Sequence, residues 1–309
     1  MNSSDDSDGA ELRIICGPTA AGKSALATQL AERHGLVILS ADSRQIYRGF
    51  DIGTAKPPAA DRARVAHVGI DVADPSERWS AARFARDATA WLDGAPRGKT
   101  LVVGGTGFYL RALTTPLDAS PELDPAHRAL LGAELAQVET DELRRWVRAL
   151  DPTRAHLGRT QLLRAAEVAL LTGRRLSEFH AEGPVARPVR ASWLVVDPGA
   201  RLHEHIASRL DAMLDGGWPE EVRALQSSVD AGAPAWQACG YDTVRELIRG
   251  ALSLPAARDA ILIATRQYAK RQRTWFRHQV GGDPVTRVDP HDPRCAATVE
   301  QWWRGGTTE

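Results

Sequence analysis

The stretch GPTAAGKS, residues 17–24, sets the framework for the rest of the sequence. It fits the pattern GxxxxGK[ST] in full, and it lies between an apolar run, LRIIC at 12–16, and the amphipathic segment KSALATQLAERH at 23–34. The run predicts a buried β-strand, and the segment predicts an α-helix that stops at Gly35. A glycine-rich turn between a strand and a helix wraps its backbone N–H groups around a phosphate. The sequence therefore predicts a phosphate-binding loop.

Every residue of this loop is a candidate contact for a diphosphate or a triphosphate. Lys23 would add a full positive charge, and the Ser24 hydroxyl would be a ligand of Mg²⁺, which is the expected cofactor. The candidate diphosphate-binding residues are Gly17, Pro18, Thr19, Ala20, Ala21, Gly22, Lys23 and Ser24. The motif indicates what is bound but not which reaction follows, because the same loop serves several kinds of enzyme.

Strands that alternate with helices predict an α/β fold with a parallel sheet and helices on both faces. Further short apolar strands are expected at Leu36 to Leu39, Leu101 to Val103 and Trp193 to Val196. Between the last two, helical patterns at about 126–137, 141–149 and 161–173 follow one another without a convincing strand. They predict a helical insertion in the α/β core.

The expected domain boundaries follow from these patterns. Residues 1–11 are polar and acidic and are expected to form a disordered tail. Residues 12–116 and 191–309 would form the α/β core with its C-terminal helices, and residues 117–190 would form the helical insertion domain.

Composition limits the class of protein. The chain has 309 residues, of which 43% are hydrophobic and 25% are charged, as in ordinary globular proteins. The longest apolar runs are too short for a membrane span, and the N-terminus lacks the apolar core of a secretory signal. Three widely spaced cysteines, Cys16, Cys239 and Cys295, argue against a disulfide framework and a zinc site. We expect a cytoplasmic protein and a monomer.

The formal net charge is zero, from 39 basic and 39 acidic residues. Four of the acidic residues lie within the first eleven positions, so the rest of the chain has a basic excess. An average of zero does not exclude nucleic acid as a partner, since the local distribution of charge decides such binding.

An acidic residue after a strand is the next candidate. A P-loop NTPase ends a hydrophobic strand with an acid that supports Mg²⁺, but here the strand Leu101 to Val103 runs into Gly104-Gly105-Thr106-Gly107. The strand Leu36 to Leu39 instead leads to Asp42. Asp42 is therefore either the metal-supporting acid of a kinase or a residue with a different task.

Five segments together are similar to the tRNA dimethylallyltransferase family, also called tRNA isopentenyltransferases, in its bacterial form. They are GPTAAGKS (17–24), ADSRQIYRGFDIGTAKP (41–57), GGTGFYLRAL (104–113), LRAAEVALLTGR (163–174) and ATRQYAKRQRTWFR (264–277). These segments extend from residue 17 to residue 277, so the resemblance covers nearly the whole chain.

The resemblance implies a reaction and its substrates. A dimethylallyl group would pass from dimethylallyl diphosphate to the exocyclic amine of the adenosine on the 3′ side of the anticodon, in the anticodon stem-loop of a tRNA. The diphosphate would occupy the loop near Thr19, Gly22, Lys23 and Ser24. The resemblance further implies three catalytic residues. Asp42 would be the base that removes the amine proton, Thr106 would lie between the substrate groups and the diphosphate, and Arg209 would contact the leaving diphosphate.

The resemblance also implies contacts with tRNA, including contacts from the helical insertion. The implied residues are Asp42, Ser43, Arg44, Gln45, Thr106, Arg128, Thr160, Gln161, Leu162, Leu163, Arg164, Gln237, Ala238, Cys239, Gly240, Tyr241 and Asp242. Asp242 departs from the family pattern, which usually has a basic residue after Gly-Tyr.

Spacing gives a separate indication of RNA binding. Arg266, Lys270, Arg273 and Arg277 recur at intervals of four, three and four residues, which places them along one face of a helix. A basic stripe of this kind follows a phosphate backbone, and Lys270, Arg273 and Arg277 are candidate tRNA contacts. The alternative is an ordinary solvated helix face.

Three other functions stay open on the sequence alone. A small-molecule kinase would need ATP and a phosphoryl acceptor site. A related enzyme that prenylates free AMP, ADP or ATP would share the loop and Asp42 but would not need a long helical insertion. A non-catalytic RNA-binding module would not need a complete phosphate loop.

Overall fold

The computed structural model describes residues 11–96, 98–115, 121, 123–182, 189–281 and 285–305. The chain divides into two compact units, one formed by Met1–Thr114 with Val189–Glu309 and the other by Thr115–Pro188. The division lies two residues from each of the boundaries expected at 116/117 and 190/191. The predicted disordered tail lies outside the described residues, apart from Glu11.

The elements of the first unit begin with the predicted strand, phosphate loop and helix. Before the insertion they are β1 (Leu12–Cys16), α1 (Lys23–His34), β2 (Val37–Ser40), α2 (Ala59–Arg64), β3 (His67–Val68), α3 (Ala81–Asp93), β4 (Thr100–Gly104) and α4 (Gly107–Thr114). The insertion contributes α5 (Pro125–Gln137), α6 (Thr140–Leu150), α7 (Arg159–Thr172) and α8 (Leu176–Ala181). The first unit resumes with β5 (Ala191–Val196), α9 (Leu202–Asp215), α10 (Trp218–Gln226), α11 (Tyr241–Ile248), α12 (Leu254–Gln279), β6 (Val285–Val288) and α13 (Cys295–Trp303).

The six strands form one sheet in the order β3-β2-β4-β1-β5-β6, and every pair is parallel. Side chains of β1 alternate between two hydrophobic cores: Ile14 and Cys16 belong to one, and Ile15 belongs to the other. Helices cover both faces, because a parallel sheet made by crossover connections must bury each face. The predicted fold class, an α/β P-loop core with a parallel sheet, is confirmed.

The strand order places three loops side by side. The phosphate loop follows β1, Asp42 follows β2, and Thr106 follows β4, which lies between the other two strands. Since all strands are parallel, these loops leave the sheet at the same edge. Residues that are far apart in sequence thus come together at this edge.

Within its described residues, the second unit contains helices joined by short loops and no strand. Its small core contains Leu135, Leu143, Val147 and Leu162. The fully buried carboxylate of Asp151 accepts a hydrogen bond from the backbone N–H of Ser177 (2.9 Å), which fixes the start of α8. The Gly/Pro-rich stretch at 183–188 lies outside the described residues.

The elements that the sequence did not predict include β6 and α8. The strand β6 has only four residues, and its pairing with β5 depends on contacts distant in sequence. Helix α8 has six residues, too few for a clear apolar period. Among the described residues, no helix is long and apolar enough to cross a membrane.

Candidate active site

The phosphate loop has the backbone that its glycines allow. Gly22, which caps the N-terminus of α1, has a φ of 90°, in the left-handed region that favours glycine. A Cβ on Gly17 would lie 2.2 Å from the carbonyl oxygen of Val196, so this position has room only for hydrogen. The loop therefore presents the N-terminus of a twelve-residue helix to the space beside it, where an anion is stabilised.

Lys23 lies at the first position of α1, and its Nζ donates to the carbonyl oxygen of Pro18 (2.7 Å). Burial lowers the pKa of Lys23 to about 8, the nearby carboxylate of Asp42 opposes this shift, and the guanidinium of Arg209 adds to it. A bound diphosphate would restore the charge of Lys23, because an adjacent anion favours the ammonium form.

Asp42 is half-buried and lies where β2 ends. Its Oδ1 accepts the backbone N–H of Arg44 (2.9 Å), a local bond that turns the chain and orients the carboxylate. Within the part of the chain that the structure describes, Asp42 forms no salt bridge at contact distance. One carboxylate oxygen therefore remains for a substrate.

Thr106 joins the loop after β4 to the loop after β2. Its Oγ1 accepts the backbone N–H of Ser43 (3.0 Å) and lies 3.3 Å from the Ser43 hydroxyl. These bonds tie the loop after β4 to the loop after β2, and the Thr106 hydroxyl also forms a hydrogen bond with the side chain of Tyr268.

Arg209 extends from α9 and is half-buried. Burial lowers its pKa from the usual arginine value, and the carboxylate of Asp42 opposes this shift, but the guanidinium remains charged at neutral pH. The three predicted catalytic residues, Asp42, Thr106 and Arg209, therefore lie in one site.

Two adjoining cavities meet at Asp42 and Arg209, and Thr106 lines the larger of them. The smaller one, about 100 Å³, lies against Lys23 and Ser24, and the larger one, about 560 Å³, has apolar walls. The residues that line both cavities are Thr19, Asp42, Thr54, Gly105, Arg209, Tyr268 and Gln272. The apolar walls of the larger cavity include Met213, Trp218, Ile261, Trp275 and Phe276. A charged group would fit the small cavity while an apolar or aromatic group occupies the large one.

The loop at 42–57 is held by a buried lysine. Lys56 Nζ donates to the Tyr47 carbonyl oxygen (2.5 Å), to Asp51 Oδ1 (2.6 Å) and to Asp71 Oδ1 (2.5 Å), and only 1% of its side chain is exposed. Burial alone would raise the pKa of Asp71, yet hydrogen bonds from Lys56 and Arg62 lower it overall. This network fixes the loop that carries Asp42.

Gln45 supports the same loop from inside. Its Nε2 donates to the carbonyl oxygens of Thr54 (3.3 Å) and Ala55 (3.0 Å), and its Oε1 accepts from Ser40 Oγ (3.0 Å). The predicted tRNA contact of Gln45 therefore needs correction for the side chain, whose carboxamide is already used. Ser43 and Arg44 are half-buried and line the larger cavity.

The predicted tRNA contacts at Gln237–Asp242 divide by exposure. Gln237 and Asp242 are exposed, and Asp242 forms an ion pair with Arg245 (3.2 Å). Tyr241 is completely buried, and its hydroxyl donates to Glu221 (2.7 Å). The prediction for the Tyr241 side chain is therefore corrected to a supporting role, whereas Ala238, which is buried but lines the larger cavity, stays a prediction. Cys239 and Gly240, which are half-buried, stay predictions, and Cys239 lines the larger cavity.

Helix α12 carries the predicted basic stripe, with unequal exposure. Lys270 and Arg277 are exposed, whereas Arg273 is half-buried and forms an ion pair with Asp197. Arg277 makes no ion pair within the described residues. The structure thus leaves Lys270 and Arg277 as the stronger candidates for phosphate contacts.

In the insertion, Leu162 is a core residue whose side chain has no exposed surface. Its predicted contact with tRNA is therefore corrected to a packing role. Arg128 and Arg164 both bind the carboxylate of Glu167, each at 2.8 Å. The remaining candidates, Thr160, Gln161 and Leu163, lie in the first turns of α7 and stay predictions.

Sequence reasoning missed Tyr268, Gln272 and Trp275, which lie within a segment interpreted for its basic residues. All three line the larger cavity. A helical signal was present, since the buried residues Ile261 and Phe276 fall on the face of α12 that also carries Gln272.

A phosphate loop beside a carboxylate and a large apolar cavity, on a sheet whose β4 ends in glycine and not in an acid, defines a P-loop enzyme site that differs from that of an ordinary P-loop NTPase. The comparisons agree with this class. A family model described as IPP transferase matches residues 45–279, and one described as isopentenyl transferase matches residues 10–71.

Relatives match nearly end to end. The tRNA dimethylallyltransferase of Chromohalobacter salexigens is 44% identical over 306 residues, covering 96% of this chain and 97% of the relative. The tRNA dimethylallyltransferase of Deinococcus radiodurans is 40% identical over 297 residues, covering 93% of this chain and 96% of the relative. The crystal structure of the tRNA isopentenylpyrophosphate transferase of Bacillus halodurans is similar with a TM-score of 0.64 at 30% identity, covering 95% of this chain and 98% of that one. The chain belongs to the tRNA dimethylallyltransferase family, and it is a prenyltransferase.

Proposed function

We propose that this enzyme transfers a dimethylallyl group from dimethylallyl diphosphate to the exocyclic amine of the adenosine 3′ of the anticodon in tRNA and releases diphosphate. The observation that carries the proposal is the position of Asp42. Its carboxylate lies where the small cavity beside the phosphate loop meets the large apolar cavity, and no described cation neutralises it through a salt bridge.

The donor would bind across both cavities. Its diphosphate would lie against Lys23, Ser24 and the N-terminus of α1, in the cavity that Arg209 also lines. Its five-carbon chain would enter the apolar part of the larger cavity, between Met213 and Ile261. The backbone N–H of Thr19 donates to Gln272 (2.8 Å), so this residue would approach the donor only through its side chain.

Mg²⁺ fits the donor set of the small cavity. Among the described residues no group of three or more His, Cys, Asp or Glu could hold a metal. Mg²⁺ does not need one, because it binds through few protein oxygens, substrate phosphates and water. Ser24 would supply the protein oxygen, and the ion would neutralise the charge that develops on the leaving diphosphate.

The chemistry requires one bond to break and one to form. The bond between C1 of the dimethylallyl group and the diphosphate oxygen breaks, and its electron pair leaves with the diphosphate, whose charge Lys23 and Arg209 stabilise. The adenine amine forms the new bond to C1, and its proton passes to the free oxygen of Asp42. The adenine amine is a poor nucleophile because its lone pair is delocalised in the ring. Removal of its proton in the same step therefore lowers the barrier.

The tRNA would approach the open side of the larger cavity, where Arg44 and Gln237 lie, and the adenine would leave its stack to reach Asp42. Lys270 and Arg277 would contact the phosphate backbone. Asp242 would contribute no favourable charge, which leaves these two residues a larger share of the electrostatic attraction. We propose that a single chain carries out the reaction.

The test uses dimethylallyl diphosphate labelled in the prenyl group. The acceptors are an unmodified tRNA transcript with adenosine 3′ of the anticodon, the same transcript with guanosine there, and AMP. We expect label only in the first. Label in AMP would favour the enzyme that prenylates free nucleotides, and label in the guanosine transcript would place the acceptor elsewhere. The Asp42→Asn variant, with the same shape but no basic oxygen, serves as the matched control and should transfer almost none.

A further inference from the structure

Gln272 connects the two glycine loops of the site. Its Oε1 accepts the backbone N–H of Thr19 (2.8 Å), and its Nε2 donates to the carbonyl oxygen of Gly105 (2.8 Å). One side-chain carboxamide thus bonds the phosphate loop at one end and the loop that carries Thr106 at the other. We infer that Gln272 is a positioning residue that holds the donor's diphosphate in register with the groups that act on the acceptor.

Burial makes this bridge strong and specific. Gln272 is 7% exposed, on the inner face of α12 between Ala269 and Phe276. A buried carboxamide must satisfy both its donor and its acceptor, because an unpaired polar group costs more than a hydrogen bond gains. No hydrophobic residue and no charged one would satisfy both partners at this position.

The surrounding backbone leaves the bridge little freedom. A Cβ on Gly105 would lie 2.6 Å from Nε2 of Gln272 and 3.4 Å from the carbonyl oxygen of Gly17. In the phosphate loop, Ala20 follows Thr19 and has a φ of 61°, which is uncommon for a residue with a side chain. A loop in such a conformation needs outside support, and the bond from Thr19 to Gln272 supplies it.

Thr106 and the phosphate loop come from different strands, β4 and β1, so the backbone alone does not fix their separation to a fraction of an ångström. Transfer depends on such precision, since a misplacement of about 1 Å costs on the order of a hundredfold in rate. The loss of Gln272 should therefore reduce kcat more than it weakens donor binding. This inference rests on the proposed function for its rate measurement.

The first experiment compares Gln272→Met with Gln279→Met, a matched change at an exposed position of the same helix. We expect kcat for tRNA prenylation to fall at least tenfold in Gln272→Met, with the Kd for dimethylallyl diphosphate, measured by calorimetry without tRNA, within threefold of wild type. Gln279→Met should match wild type in both. Equal kcat values for the two variants would overturn the inference, as would a loss confined to donor affinity.

A second variant separates positioning from simple packing. In Gln272→Glu, a protonated carboxylic acid reproduces both bonds, whereas a carboxylate would face the carbonyl oxygen of Gly105. The kcat of Gln272→Glu relative to wild type should therefore rise as pH falls, while the ratio for Gln272→Met stays constant. Gln272 lines both cavities, whose ionisable groups are Lys23, Asp42, His67, Arg209 and Tyr268 in the smaller one and, in addition, Arg44, Cys239 and Arg271 in the larger one. Dividing by the wild-type value at each pH removes their titration. A flat ratio for Gln272→Glu would refute the bridge.

A third measurement does not depend on activity. Hydrogen exchange at the amide of Thr19 should be faster in Gln272→Met than in Gln279→Met, because its acceptor is gone. If the wild type prenylates no tRNA, the proposed function fails, and this measurement still decides whether Gln272 holds the loop. Unchanged exchange would show that it does not.

Discussion

Donor binding should depend on pH through Lys23. Its pKa of about 8 lies within the range in which enzymes are assayed, because the site buries the ammonium group. Only the charged form attracts the diphosphate strongly, and this form predominates below pH 8 and is lost above it. Affinity should therefore be highest on the acidic side of pH 8 and fall as pH rises.

The size of the effect follows from the pKa. Lys23 would be about 90% charged at pH 7 and about 10% charged at pH 9, so affinity should fall about tenfold between them, or about 1.4 kcal/mol. Binding at pH 9 should take up nearly one proton per site, since the diphosphate raises the pKa of Lys23 again. A phosphate ester ionises near pH 6, well below this range.

Calorimetry with dimethylallyl diphosphate, in buffers of different ionisation enthalpy and without tRNA, measures both quantities. Lys23→Arg keeps its charge throughout and should bind with little pH dependence. Asp42→Asn removes the carboxylate that favours the charged lysine, so the midpoint should move to lower pH. An affinity that is constant from pH 7 to pH 9 with no proton uptake, or an arginine variant with the wild-type slope, would refute the reasoning.

Three further predictions concern catalysis, RNA binding and stability. Asp42→Ala should lower kcat by at least a hundredfold in kinetic assays, while its donor affinity, measured by calorimetry, stays within threefold of wild type. Equal losses of kcat and of donor affinity would contradict the role of Asp42 as a base. Arg277→Gln should reduce the slope of log K for tRNA binding against log salt concentration by about one. Arg273→Gln should reduce it by less, because Asp197 already balances the charge of Arg273. Filter binding at several salt concentrations measures both slopes, and equal reductions would contradict this difference. Lys56→Met should lower the free energy of unfolding by about 2–3 kcal/mol in chemical denaturation, whereas Lys99→Met, at an exposed position, should change it by less than about 0.5 kcal/mol.

Much of the fold could be predicted, because local pattern and tertiary structure agree there. The strand Leu12–Cys16 and the helix Lys23–His34 have the bounds that the sequence predicted. The short strand β6 could not be recognised, because four residues with one exposed arginine carry no clear period, and its pairing with β5 is a tertiary event.

The residues of the site likewise divide into those that the local sequence predicts and those that only tertiary packing reveals. Asp42 and Thr106 follow strands, so the parallel sheet brings them together as expected. Gln45, Leu162 and Tyr241 were predicted to contact tRNA, but their side chains are used inside the protein, which only packing reveals. Gln272 was missed because its importance lies in two backbone partners, 167 and 253 positions away in sequence.

Because β2, β4 and β1 are adjacent, the residues that stabilise the sheet and the residues that face the substrates occupy different parts of the chain. Most residues of these strands are buried, whereas Asp42 and Thr106 lie on turns just beyond the last residue of β2 and of β4. A substitution of Asp42 or Thr106 alters what the enzyme does without removing apolar contacts from either core, because neither side chain belongs to a core. New specificities for the prenyl donor or the acceptor base should therefore be sought by varying these turns, with the sheet left as it is.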